Sequence, residues 1–183
     1  GSIPDWLSGS LIRNGPGAFV VGDQPLRHWF DGPAMLHKFS FHGGRVSYTS
    51  KFLETDALRQ SQTDGRLAYS EFATDPCRSL FKRFMTLFSR YPTDSAKVSV
   101  AHFAERFLAL AETPLQIQFD AETLKSAGVF IHEDAPAGQM TTAHPHFVDE
   151  SMYNVVIRFN RVSQYRLYRT PASFQPQQIG SVA

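Results

Sequence analysis

Met35-Leu36-His37-Lys38-Phe39-Ser40-Phe41-His42, then Gly43-Gly44, then Arg45-Val46-Ser47-Tyr48-Thr49-Ser50-Lys51-Phe52-Leu53, is the stretch that decides the fold. Met35, His37, Phe39 and Phe41 alternate with Leu36, Lys38, Ser40 and His42. Beyond the glycines, Val46, Tyr48, Ser50 and Phe52 alternate with polar neighbours. Side chains along a strand point to opposite faces in turn, so a period of two predicts strands. Two such runs joined by Gly-Gly predict a β-hairpin, because glycine reaches the positive φ that a two-residue turn needs.

The same period recurs on either side. Residues 98–103 and 107–111 read as another pair of strands, and 115–119 follow at once. Asp120-Ala121-Glu122-Thr123-Leu124 is a tight connection. Residues 153–159 and 165–168 make a third hairpin around Asn160-Arg161. Short strands with frequent turns predict an all-β antiparallel sandwich, barrel or propeller. One segment breaks the pattern. In 79–88 the apolar residues, Phe81, Phe84 and Phe88 among them, recur three and four apart, with Lys82 and Arg83 between them. That spacing predicts an amphipathic helix. Such a helix ordinarily packs its apolar face on the core, but a basic one also suits a membrane surface. Cys77 beside it is a candidate for acylation. No linker, low-complexity tract or strict repeat marks a boundary, so 1–183 reads as one unit.

Composition narrows the function. Of 183 residues, 42% are apolar and 19% charged, which is ordinary for a globular chain with a sizeable core. Sixteen phenylalanines argue against disorder. The net charge of +1 calls for no nucleic-acid partner. A single cysteine precludes an internal disulfide and suits a reducing compartment such as the cytoplasm. The opening Gly1-Ser2-Ile3-Pro4-Asp5-Trp6 has no signal-peptide character. It also lacks an initiator Met, as expected of a chain whose natural start lies upstream.

The seven histidines, His28, His37, His42, His102, His132, His144 and His146, match no zinc-finger or HExxH spacing. No nucleophile elbow and no phosphate-binding glycine loop are present. Thr141-Thr142-Ala143-His144-Pro145-His146 stands out. A proline disfavours helix in the residue before it, so His144 is expected to be extended. Residues two apart then face one side, and both imidazoles are able to enter one cavity. Imidazole suits iron, zinc or copper. An ordinary hydrogen-bonding role for both histidines remains the alternative. His28-Trp29-Phe30-Asp31-Gly32 and Arg13-Asn14-Gly15-Pro16-Gly17 read as turns, the first with its aromatics packed. Glu112 follows an apolar run, either as a buried acid in need of a partner or as a solvated strand end.

Together these segments resemble the carotenoid cleavage oxygenase family, which includes carotene dioxygenases, lignostilbene dioxygenases and the retinoid isomerohydrolase. Ile3-Pro4-Asp5-Trp6-Leu7 with Arg13-Asn14-Gly15-Pro16-Gly17 looks like the family's opening. The stretch His28-Trp29-Phe30-Asp31-Gly32-Pro33-Ala34-Met35-Leu36-His37 is close to its N-terminal motif. Asp75-Pro76-Cys77, Ala111-Glu112-Thr113-Pro114, Phe119-Asp120 with Glu122-Thr123-Leu124, and Thr142-Ala143-His144-Pro145-His146 follow in the family's order.

The resemblance implies the N-terminal part of a seven-bladed β-propeller with four axial histidines on Fe(II). His144 is implied as the first ligand, His146 as a neighbour, and Glu112 as an acid orienting the ligand imidazoles. Dioxygen and a carotenoid or related polyene are the implied substrates. Cys77, Phe81, Phe84 and Phe88 are implied near a tunnel mouth that touches membrane. The other three ligands are expected beyond Ala183, so these residues alone are expected to be inactive. Two alternatives stay open: stilbene cleavage or retinoid isomerisation within the family, and a non-catalytic lipophile-binding β module.

Overall fold

The computed structural model describes residues 1–69, 71, 73–74, 93–130, 138 and 140–183. The helix expected over 79–88 lies outside the described residues, and so do Cys77, Phe81, Phe84, Phe88 and His132.

Three antiparallel sheets carry the described chain. The first has the order β1 (Gly9–Pro16), β4 (Ala34–His42), β5 (Arg45–Phe52). A short hairpin, β2 (Val20–Val21) with β3 (Gln24–Pro25), stands between β1 and β4 in sequence. The second sheet is a plain meander of β6 (Ser99–Phe103), β7 (Arg106–Leu110), β8 (Gln116–Phe119) and β9 (Ser126–Phe130). The third runs β10 (Met140–Thr141), β12 (Ser151–Arg158), β13 (Gln164–Pro171), β14 (Gln177–Val182), with β11 (His146–Val148) also on β12.

The expected hairpins are all present. His42 pairs with Arg45, and Gly43 and Gly44 between them have φ of 52° and 70°. A side chain at either position would strain the backbone. Two expectations fail. Residues 13–17 do not form a turn; Arg13 to Pro16 continue β1, in register with His37 to Ala34 of β4. Pro16 is tolerated because it is the last strand residue, where no further ladder bond is needed. The helix α1 (Asp56–Asp64) was also not foreseen. Thr55 caps it, its Oγ1 accepting from Leu58 N at 3.1 Å, and Gly65 ends it at φ 63°.

The middle sheet is packed on both faces. On one, Ala109, Ile117 and Phe119 join Ala34, Leu36 and Leu53 of the first sheet and its edge. On the other, Ala101, Leu108 and Leu110 form a second cluster with Phe130. Phe103 and Phe130 meet Phe174, which follows β13, at ring distances of 5.5 and 5.0 Å. Arg106 lies 5.4 Å from the centre of Phe130 and 5.3 Å from that of Phe174. Two covered faces explain why 107–111 is apolar at every position, as strands buried on both sides must be.

Leu108 is fully buried on the face turned to the third sheet. Leu108→Ala is expected to lower the unfolding free energy by about 3 kcal/mol. Chemical denaturation of the two proteins checks this.

Candidate functional site

His144 lies between β10 and β11, where the chain bends rather than running extended. The bend is closed locally, because Thr142 Oγ1 accepts from His144 N at 3.1 Å. His146 opens strand β11 opposite Tyr153. Both side chains are exposed, and neither lines the cavity beside Asp31 and Glu71 or the one beside Phe103 and Phe147. The local hydrogen bond to Thr142 accompanies a bend that the preference imposed by Pro145 does not foretell.

The loop is held by its backbone. Thr141 N donates to Glu112 O at 2.8 Å. Thr141 Oγ1 donates to Val155 O at 3.0 Å. Asn154 Nδ2 donates to Thr142 O at 3.2 Å, and Ser99 Oγ donates to Ala143 O. Ser99 is anchored in turn, because Asn14 Nδ2 donates both to Ser99 O at 3.1 Å and to Ala96 O at 2.7 Å. The second and third sheets therefore converge on residues 141–144, and the first reaches them only through Ser99. Glu112, far from Thr141 in sequence, joins this junction through its carbonyl, three residues before His144. The Glu112 side chain itself is exposed.

The other described histidines have separate places. His28 Nδ1 accepts from Phe30 N at 3.1 Å. His37 Nδ1 is 2.6 Å from Tyr48 Oη. His42 ends a hairpin strand, and His102 stacks on Phe107. Among the described residues no three His, Cys, Asp or Glu side chains are grouped to hold a metal. The donor chemistry at 144 fits iron, since neutral imidazole is one of its usual ligands. The described residues offer one such donor on this loop rather than a complete centre.

A second polar cluster was missed from sequence. In His28-Trp29-Phe30-Asp31 the aromatics pack at the surface rather than in the core, Trp29 on Phe19 at 5.0 Å and Phe30 on His28 at 5.1 Å, while Asp31 is buried, at 1% exposure. Asp31 Oδ2 accepts from His28 N at 2.9 Å and Thr74 Oγ1 at 2.6 Å, and Oδ1 accepts from Ala73 N at 2.8 Å. Burial alone would raise the Asp31 carboxyl, but these donors and the charge of Lys97 outweigh it and hold the pKa below the ordinary value. Lys97 forms a buried ion pair with Glu71. There burial wins, and it raises the Glu71 carboxyl despite the charge and hydrogen bond of Lys97. A cavity of about 310 Å³ adjoins this cluster, with Asp31 and Glu71 beside Val20, Phe52, Leu58 and Leu67 in its lining. The sequence signal for Asp31 was its place just before Gly32, which is equally the signal of a surface turn.

Stacked four-stranded antiparallel meanders are the blades of a β-propeller. The structure superimposes on that of cobalt-substituted Synechocystis apocarotenoid oxygenase (TM-score 0.81, 29% identity), covering 100% of this chain and 40% of that one. The fold is thus the N-terminal part of a β-propeller. Residues 1–181 match the family described as Retinal pigment epithelial membrane protein (RPE65). Beta,beta-carotene 15,15'-dioxygenase of Rattus norvegicus is 40% identical over 154 residues, 80% of this chain and 27% of that protein. Carotenoid isomerooxygenase of Drosophila melanogaster is 36% identical over 161 residues, 85% of this chain and 26% of that protein. The chain belongs to the RPE65, or carotenoid cleavage oxygenase, family. It spans about a quarter of the length of these two relatives.

Asp31 sets a pH expectation. Its lowered pKa adds stability above the ordinary carboxyl value of 3.8, and that stability is lost as pH falls through the lower folded-state value. Asp31→Asn leaves one oxygen for three donors and is expected to cost roughly 2–4 kcal/mol at neutral pH. The cost should shrink at acid pH, so the acid limb of the stability curve should be flatter in the variant. Denaturant titrations from neutral pH down to about pH 3 check both outcomes, the lower limit lying near the reference Asp pKa.

Proposed function

We propose that the protein carrying this chain is a non-haem Fe(II) dioxygenase. Its reaction is cleavage of a conjugated carbon–carbon double bond of a carotenoid or apocarotenoid to two carbonyl products, and His144 is one of its iron ligands. The observation that carries this reading is an exposed imidazole on a loop whose backbone is fixed from β6, from β12 and from the segment after β7. A metal ligand needs that combination of fixed direction and open access. Family membership, the names of the two relatives and the metal-substituted structural neighbour support it.

Ferrous iron, when bound, supplies the redox chemistry through which dioxygen reacts with an alkene. The chain's own residues prepare for it. His144 binds as the neutral imidazole, and Pro145 restricts the backbone on which the ring turns. Glu112 leaves the same junction as His144 and orients ligand imidazoles by hydrogen bonding. A long polyene is held by burial of apolar surface. The basic, aromatic segment 79–88, with Cys77 beside it, makes peripheral contact with the membrane in which such substrates dissolve, and the protein otherwise sits in the cytoplasm. A second reading within the family, cleavage coupled to isomerisation, is favoured by one observation, the similarity to the Drosophila isomerooxygenase.

The test uses the full-length protein with Fe(II), dioxygen and a carotenoid or apocarotenoid in detergent. Chromatography should show aldehydes, and the double-bond geometry of the products separates simple cleavage from cleavage with isomerisation. Intact polyene in the presence of stoichiometric iron would refute the substrate assignment. His144→Ala should bind Fe(II) at least about tenfold more weakly and yield no aldehyde. Unchanged iron affinity in that variant would refute the ligand assignment.

A further inference from the structure

We propose that Ser99 and Asn154 are positioning residues for His144. They clamp two successive carbonyls of its loop and so set the direction of the imidazole. The proposal rests on the reading of His144 as an iron ligand.

Residues 142–145 belong to no strand, so their carbonyls have no ladder partners. Buried backbone groups without partners are costly. Thr142 O receives Asn154 Nδ2 and Ala143 O receives Ser99 Oγ. Ala143 is itself buried, at 1% exposure, so the peptide that leads into His144 is enclosed and fixed. Neither donor is free to drift. Asn154, 8% exposed, also accepts from Val155 N at 2.7 Å through Oδ1, which sets its amide orientation. Ser99 stands opposite Leu110 in the β6–β7 ladder, and Asn14 of the first sheet grips its carbonyl. The clamp therefore ties β6 and β12 to the two successive peptides that lead into His144. Among the described residues no hydrogen bond supports the His144 ring itself. Its direction follows from the peptide, and a shift of the peptide carries the imidazole with it.

Groups that orient metal ligands without touching the metal commonly change its affinity about 10- to 100-fold when removed. In the full-length protein, Ser99→Ala is expected to weaken Fe(II) binding about tenfold in chelator competition. Ser99→Thr, which keeps the hydroxyl, should restore it. Asn154→Ala should weaken binding in the same direction. A reporter independent of turnover is the visible spectrum of the Co(II)-loaded protein, whose ligand-field bands respond to geometry. These should shift in Ser99→Ala and return in Ser99→Thr.

If His144→Ala loses iron while Ser99→Ala and Asn154→Ala bind iron with wild-type affinity and spectrum, the clamp is wrong and the ligand assignment stands. If His144→Ala binds iron normally, the ligand assignment falls and the clamp falls with it. A loss in Ser99→Ala that Ser99→Thr does not reverse also overturns the proposal. Should Asn154→Ala fail to fold, the Ser99 pair decides alone.

Discussion

Every buried backbone group that leaves a strand ladder must find another partner, and in this chain the order of the irregular segments depends on that requirement. The ladders satisfy their own polar groups. Residues 26–33, 69, 71, 73–74, 93–98 and 111–115 lie largely outside them. Side chains sent from elsewhere complete the pairing. Some leftover backbone N–H groups go to hydroxyls, as His144 N does to Thr142, and others to buried acids: Asp31 takes His28 N and Ala73 N, and Asp94 takes Asp56 N and Ala57 N at 2.6 and 3.0 Å. Where carbonyls are left over, neutral donors serve: Asn14, Ser99 and Asn154.

The middle sheet makes this arrangement possible. Its two apolar faces fix the first and third sheets on either side of it. A donor on β6 is then in place to meet a loop that follows β10. Packed interiors tolerate little displacement, so a hydrogen bond between sheets keeps its length only while the apolar layers keep their spacing. The hydrophobic clusters and the polar clamp are therefore two aspects of one geometry. Burial brings the sheets together without direction, and the hydrogen bonds choose the direction of the loop.

Local order was legible in the sequence, and remote pairing was not. The Gly43-Gly44 hairpin could be read because turn chemistry and alternation both act within a few residues. Strand β1 was misread because Asn14, Gly15, Pro16 and Gly17 are all turn residues; only the partner β4 makes a strand of them. Helix α1 has a cap at Thr55 and a stop at Gly65, but its buried positions are only Ala57 and Ser61, too few for a visible stripe. Part of its support, Asp94, lies 38 residues away from Asp56. Ala143-His144-Pro145-His146 stood out in the sequence through its chemistry and its resemblance to the family. Its bend was not legible, because the Thr142 hydroxyl competes with the preference that Pro145 imposes. Ser99 and Asn154 carried no sequence signal at all, since each is an unremarkable polar residue within a strand.

The two kinds of partner respond differently to acid. Around Asp31, Glu71 and Lys97 the pairing uses ionisable groups. Glu71, with its pKa raised by burial, takes up its proton first as pH falls, and Lys97 then loses the charge that compensates it. Asp31, with its pKa lowered, holds its charge further into acid. The clamp on residues 142 and 143 contains amides and hydroxyls only, so no group in it titrates between these limits. Protonation of Glu71 therefore strains the part of the molecule that carries α1 and its apolar cavity while leaving the hydrogen bonds on residues 142 and 143 as they were.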